Sequence, residues 1–182
     1  STRSTPSPTR SCTASTRSPE THAKITTGKK DNKFGVDADR LAALDNELKA
    51  MANVRLVGLA VHIGSQILST RPFATAYARV AELTRELRAR GHALTRLDLG
   101  GGFGIPYQNE LGVDPADLAA TIRETVGDLG CELAVEPGRS IVADAGVLVS
   151  RVVFVKDGGS LQFAVLDGAM NDLMRPAMYD SH

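Results

Sequence analysis

Three short clusters in this 182-residue chain hold the residue types that chemistry needs. Leu97–Tyr107 is an apolar run that stops in three consecutive glycines, Gly100, Gly101 and Gly102. Each can adopt positive φ without a steric penalty, so their N–H groups can converge on an anion where a Cβ would stand in the way; a phosphate is the natural guest. The dinucleotide fingerprint G-x-G-x-x-G fails in every register begun on the triplet, because its last position falls on Ile105, Pro106 or Tyr107, and no Gly-Lys-Ser/Thr closes a Walker loop. A tight strand-to-loop turn without a ligand accounts for a bare triplet equally well. The other two clusters are His62 with Ser65, and Glu136-Pro137-Gly138-Arg139. Taken singly, His62 reads as a rim or core histidine and Glu136 with Arg139 as a local ion pair.

The elements that must position these groups follow from periodicity. Asp37 is placed to cap a helix whose apolar face is Leu41, Leu44, Leu48 and Met51. The apolar run Val54–Val61 reads as a buried strand ending in His62. Phe73, Tyr77, Val80, Thr84 and Leu87 mark a second helix, closed at Gly91. Thr95–Leu99 is a strand leading into the glycines. Asp114 with Pro115 starts a third helix whose buried face is Leu118, Ile122, Val126 and Leu129, and Glu132–Val135 is the next strand. This alternation predicts a parallel α/β architecture. Three successive strands then end in His62 and Ser65, in Gly100–Gly102, and in Glu136 and Arg139. Parallel α/β folds place their chemistry at the carboxyl ends of strands, so the coincidence weighs against three unrelated local features. After Gly146 the β-branched Val147–Val155, the turn Asp157-Gly158-Gly159-Ser160 and Leu161–Leu166 predict an antiparallel hairpin opening a different region.

Composition excludes several classes. Lys plus Arg and Asp plus Glu both number 21, so no net field draws the chain to nucleic acid or an anionic membrane. Without Trp and with few aromatic residues, base stacking is a poor expectation. No apolar run approaches membrane-spanning length and the start lacks a secretory apolar core, so a cytoplasmic location is expected. Cys12 and Cys131 lack metal-ligand spacing, and no metal is expected. Residues 1–20 contain no Leu, Ile, Val or Phe, which predicts a disordered segment.

His62-Ile63-Gly64-Ser65-Gln66, Leu97 through Gly102, Glu136 through Arg139, and Met170-Asn171-Asp172 with Arg175-Pro176-Ala177-Met178-Tyr179 together resemble the diaminopimelate decarboxylases, pyridoxal-phosphate enzymes of the alanine-racemase fold type. Glu-Pro-Gly-Arg alone is shared with ornithine and arginine decarboxylases; the Met-Asn-Asp and Arg-Pro-Ala-Met-Tyr segments favour the diaminopimelate branch. The resemblance implies part of a (β/α)8 TIM-type barrel, about half of it, over 21–145 and the truncated start of a C-terminal antiparallel β-domain over 146–182. It implies pyridoxal 5'-phosphate held by His62, Ser65, Gly100, Gly101, Gly102, Glu136, Gly138 and Arg139. His62 would stack on the pyridine ring and Glu136 would pair with its nitrogen, favouring the pyridinium that withdraws electrons as the α-carboxylate leaves. Arg139, Arg175 and Tyr179 would hold the distal groups of meso-2,6-diaminopimelate, which the family converts to L-lysine and carbon dioxide as a homodimer.

Two family parts are not among the matched residues: the lysine that forms a Schiff base with the cofactor, and the Cys-Glu-Ser segment of the β-domain. Lys24, Lys29, Lys30, Lys33, Lys49 and Lys156 lie outside such a motif, and Cys131, expected within a strand, is no substitute. The expectation is a central fragment, with 1–20 foreign to the family, that does not decarboxylate alone. An ornithine- or arginine-type decarboxylase and a non-catalytic phosphate- or cofactor-binding remnant are the alternatives.

Overall fold

The computed structural model describes residues 9–13, 36, 40–107 and 109–179, and the chain divides into two compact units, 1–141 and 142–182. In the first unit a four-stranded parallel sheet runs in the order β1 (Thr9–Thr13), β2 (Arg55–Ala60), β3 (Arg96–Gly101) and β4 (Glu132–Glu136). Helix α1 (Leu41–Ala50) precedes β2, α2 (Arg71–Ala89) connects β2 to β3, and α3 (Pro115–Val126) connects β3 to β4. Short strands need such crossover helices to return in parallel. The short helix α4 (Gly138–Val142) follows β4.

Strand β1 corrects the expectation of disorder at Thr9–Thr13, which pairs in parallel with β2 from Thr9 opposite Arg55 to Thr13 opposite Ala60. Ladder bonds are made by the backbone, and this five-residue run lies clear of the neighbouring prolines, so an apolar pattern is not required. The rest of 1–20, Ile25 and the expected cap Asp37 lie outside the described residues.

Helix α2 does most to hold the sheet. Phe73, Tyr77, Val80, Thr84 and Leu87 are all buried, as their spacing predicts. Phe73 packs against Tyr77 and Phe103 with ring centroids 6.0 and 5.2 Å apart. The Tyr77 hydroxyl donates to the Leu99 carbonyl at 3.1 Å, fastening α2 to the end of β3, and burial pushes its pKa up. In α3 the Asp114 side chain accepts from the Ala116 N–H at 2.6 Å. Val126 at the end of α3 and Leu129 in the 3-10 turn after it are buried, while Leu118 and Ile122 are partly buried against the core. Met51 departs from expectation: α1 ends at Ala50, Met51 turns to an extended conformation as its cap, and the side chain is 46% exposed. Cys131 lies just before β4 rather than within a strand. Its thiol accepts from Arg88 Nη2 at 3.1 Å, and the same guanidinium donates to the Leu94 and Leu129 carbonyls.

Asp45 ties α1 to the loop after α2. Only 2% exposed, it receives Lys49 Nζ at 3.0 Å and Arg90 Nη1 at 3.4 Å, and His92 Nε2 lies 2.6 Å from its other oxygen. The hydrogen bond to His92, then that to Lys49, holds its pKa down to about 2. A folded-state pKa below the unfolded value of about 3.9 contributes stability that is present above pH ~4 and is lost as pH falls from ~4 toward 2. Asp45→Asn is therefore expected to lower the melting temperature at pH 7 and to flatten its dependence on pH below 4. Parallel melting curves for parent and variant at pH 7 would refute the assignment.

In the second unit β5 (Val152–Asp157) and β6 (Gln162–Leu166) form an antiparallel hairpin with a register shift between Val152 and Phe154. The strands are shifted from Val147–Val155 and Leu161–Leu166: β5 starts only at Val152 but runs past Val155 to Asp157, a residue expected in the turn that instead pairs with Gln162, and β6 starts one residue later, at Gln162. Gly158 N–H donates to the Leu161 carbonyl at 2.8 Å across the turn. Asp167 accepts from Arg151 N–H at 2.8 Å and from Ser150 Oγ at 3.0 Å, which lowers its pKa. Helix α5 (Arg175–Tyr179) closes the described chain. No helix among the described residues is long and apolar enough to cross a membrane.

Candidate functional site

Beyond the ends of β2 and β3 the two loops stay side by side. Val61 N–H donates to Asp98 O at 2.9 Å, Ile67 N–H to Gly102 O at 3.0 Å, and Gly104 N–H to Ile67 O at 2.8 Å. This pairing gives the glycine triplet its reason. An added Cβ at Gly100 would fall on the Val61 carbonyl, at Gly101 on the Glu136 carbonyl and at Gly102 on the Gly64 carbonyl. Three backbones converge here, and only residues without a Cβ let them meet. The expectation that the three N–H groups converge on an anion is corrected for two of them. Gly100 N–H donates to Asp98 Oδ1 at 2.9 Å, an Asx-type turn that coincides with the register shift between β3 and β4, and Gly101 N–H donates to His62 Nδ1 at 3.4 Å.

The convergence sets three side chains at the same edge. His62 follows β2, Glu136 ends β4, and Gly101 stands between them in register with Glu136. His62 Nδ1 is 3.8 Å from Glu136 Oε2, with the side chains 41% and 61% exposed. One nitrogen cannot accept from Gly101 and donate to Glu136 at once, and both distances are long for hydrogen bonds. Arg139, in the first turn of α4, donates from Nη1 to Gln66 Oε1 at 2.9 Å, and its guanidinium carbon lies 5.9 Å from the centre of the Tyr107 ring. Ser65 is half-buried beside Gly102. Gly138 differs from the triplet: an added Cβ there meets open space, so internal packing does not explain it.

Sequence reasoning missed Gln66 and Tyr107 as site residues, although both stood inside quoted motifs. Gln66 has φ 58, and nothing in its residue type announces a left-handed backbone. Arg175 and Tyr179 belong to α5 of the second unit, at its two ends. Among the lysines, Lys49 is engaged by Asp45, Lys156 lies in β5, and Lys24, Lys29, Lys30 and Lys33 lie outside the described residues.

A parallel α/β domain with polar side chains gathered at the carboxyl ends of its strands is the class that binds small ligands at that edge. Residues 13–143 match the pyridoxal binding domain of the pyridoxal-dependent decarboxylases, and residues 140–182 match their C-terminal sheet domain. The chain belongs to the pyridoxal-dependent decarboxylase family. It is 42% identical over 166 residues to a diaminopimelate decarboxylase of Zymomonas mobilis, covering 90% of this chain and 39% of that protein. It is 44% identical over 164 residues to one from Neisseria meningitidis, covering 90% of this chain and 40% of that protein. The crystal structure of diaminopimelate decarboxylase from Helicobacter pylori complexed with L-lysine superposes with a TM-score of 0.89 at 35% identity, over 95% of this chain and 44% of that one. The chain thus spans about 40% of the length of the curated relatives it matches.

Proposed function

We propose that the chain is part of a pyridoxal-phosphate-dependent carboxy-lyase that releases carbon dioxide from meso-2,6-diaminopimelate to give L-lysine. The observation that carries this reading is the meeting of His62, Glu136 and Arg139 at the carboxyl edge of neighbouring parallel strands. The names of the relatives support the substrate, and the resemblance extends the parallel sheet to part of a (β/α)8 barrel in a homodimer; the cytoplasmic location stays the expectation drawn from composition. The lysine that binds the cofactor would come from a barrel segment outside the matched motifs.

The donor set fits the cofactor. A half-exposed imidazole suits one face of a pyridine ring, and the neighbouring carboxylate suits its nitrogen. Ser65, Gly102 and the open backbone at Gly138 suit phosphate oxygens, with Arg139 next to Gly138 in α4, whereas the Gly100 and Gly101 amides are engaged by Asp98 and His62. When bound, the cofactor supplies the sink for the electron pair left as the α-carboxylate departs. Glu136 holds a proton at the ring nitrogen, since a negative charge beside a base favours its protonated form. His62 keeps water from one ring face. Arg139 offers a substrate carboxylate two parallel donors, and Arg175 and Tyr179 keep the substrate-binding role that the resemblance assigns them.

Equilibrium dialysis of the chain with pyridoxal phosphate and with inorganic phosphate tests the reading. Pyridoxal phosphate is expected to bind the tighter of the two, and Glu136→Gln to weaken it by about tenfold through loss of a charge-assisted hydrogen bond. Equal affinity for both ligands, unchanged by the substitution, would leave a phosphate-binding module in place of the enzyme reading. Carbon dioxide release from diaminopimelate, ornithine and arginine, once the family's lysine-bearing segment is joined to the chain, separates the substrates.

A further inference from the structure

We propose that Gln66 is a positioning residue, which fixes the guanidinium of Arg139 before a ligand arrives. The inference rests on the reading of Arg139 as the group that receives a substrate carboxylate. Among the described residues Gln66 alone, apart from glycines, has positive φ. A side chain is disfavoured in that conformation, and glycine would take it without cost. What the glutamine adds is three polar contacts. Its Oε1 accepts from Arg139 Nη1 at 2.9 Å and from Ile105 N–H at 3.4 Å, while Nε2 donates to the Ile105 carbonyl at 2.5 Å.

These contacts fix which way the amide faces. With oxygen and nitrogen exchanged, the NH2 group would meet the Ile105 N–H and the Arg139 donors, and the oxygen would meet the Ile105 carbonyl. Every contact would be donor against donor or acceptor against acceptor. The backbone N–H and carbonyl of Ile105 therefore orient the amide, and the amide oxygen orients Arg139. The Tyr107 ring, from the same loop as Ile105, lies 5.9 Å from the guanidinium carbon. Arginine carries large rotamer entropy, and a group ordered in advance loses less of it on binding. Gln66 occupies a donor on Nη1 alone, while the Nε and Nη2 edge has the geometry that grips a carboxylate with two bonds.

Gln66→Gly separates this role from a role in the turn, because it removes the side chain and relieves the backbone together. The Arg139 Nε–H resonance, identified by its loss in Arg139→Lys, is followed in the 182-residue chain during titration with meso-diaminopimelate, alongside melting curves. Gln66→Gly is expected to melt no lower than the parent, while its Arg139 resonance moves to the position of solvent-averaged arginines. The dissociation constant for diaminopimelate is expected to rise about tenfold, as for one lost orienting contact. Gln66→Glu keeps an acceptor oxygen for Arg139 but sets its second oxygen against the Ile105 carbonyl, so it is expected to return the resonance only part of the way to its parent position. An unmoved Arg139 resonance in Gln66→Gly, whatever happens to the melting temperature, overturns the proposal and leaves Gln66 as a turn residue. If neither parent nor variant binds diaminopimelate but the resonance still moves, positioning stands and the substrate reading of Arg139 falls.

Discussion

Gly101→Ala is expected to destabilise the first unit by about 3 kcal/mol, the upper part of the usual range for forcing atoms into a packed site. The new Cβ would fall on the carbonyl oxygen of Glu136, its partner in the parallel ladder. Backbone cannot swing aside as a flexible side chain can, so β3 and β4 must part at the site end of the sheet. His62 and Glu136, 3.8 Å apart and bridged by the Gly101 peptide, would then separate as well. Gly127→Ala is the control. Its φ of −63 is helical and its nearest neighbour would be 3.9 Å away, so it should be neutral or stabilising by about 0.5 kcal/mol. Urea unfolding of both variants reads the difference; equal midpoints would mean that β3 and β4 yield at Gly101 without cost.

The same triplet marks where sequence reasoning stops. A run of three glycines says that Cβ atoms are excluded, and the run itself does not say by what. An anion and a neighbouring backbone exclude a Cβ equally well. The carbonyls of Val61, Glu136 and Gly64 that do so are far from Gly100, Gly101 and Gly102 in the chain, and strand register brings them there. Helix α2 was legible for the opposite reason: a helix writes its buried face into one continuous stretch at a period of 3.6, and every residue expected on that face is buried. Met51 failed by a single position, since a helix end is set by its cap and not by its apolar period. Strand β1 was invisible because edge pairing uses only backbone groups. The polar clusters were legible as a set, since a parallel α/β alternation assigns strand ends to one edge before any distance is known. The contact that orders Arg139 was not, because it depends on the left-handed backbone at Gln66.

Phe73→Ala is expected to cost about 4 kcal/mol, the range for removing a buried phenyl ring from a core that only partly collapses. Phe73 is fully buried, and its ring stands between those of Tyr77 and Phe103. Phe103 comes directly after Gly102 and bridges Ile67 in the paired loops, so the core residue on α2 seats the site loops from beneath. Loss of the ring should therefore loosen the site end of the sheet more than its far end. Native-state hydrogen exchange in low denaturant separates the two. The Ile67 and Gly104 amides, bonded to Gly102 O and Ile67 O, should gain exchange rate more than the Thr95 amide, bonded to Val57 O at the other end of the sheet. Phe73→Leu, which keeps most of the volume, should cost nearer 1.5 kcal/mol and largely preserve the site amides. If all three amides accelerate alike in Phe73→Ala, the ring stabilises the unit as a whole and the loops are seated by their backbone pairing. If the site amides lead, the aromatic cluster and the glycine loop act as one device, in which packing under the sheet sets the spacing of His62, Glu136 and Arg139 above it.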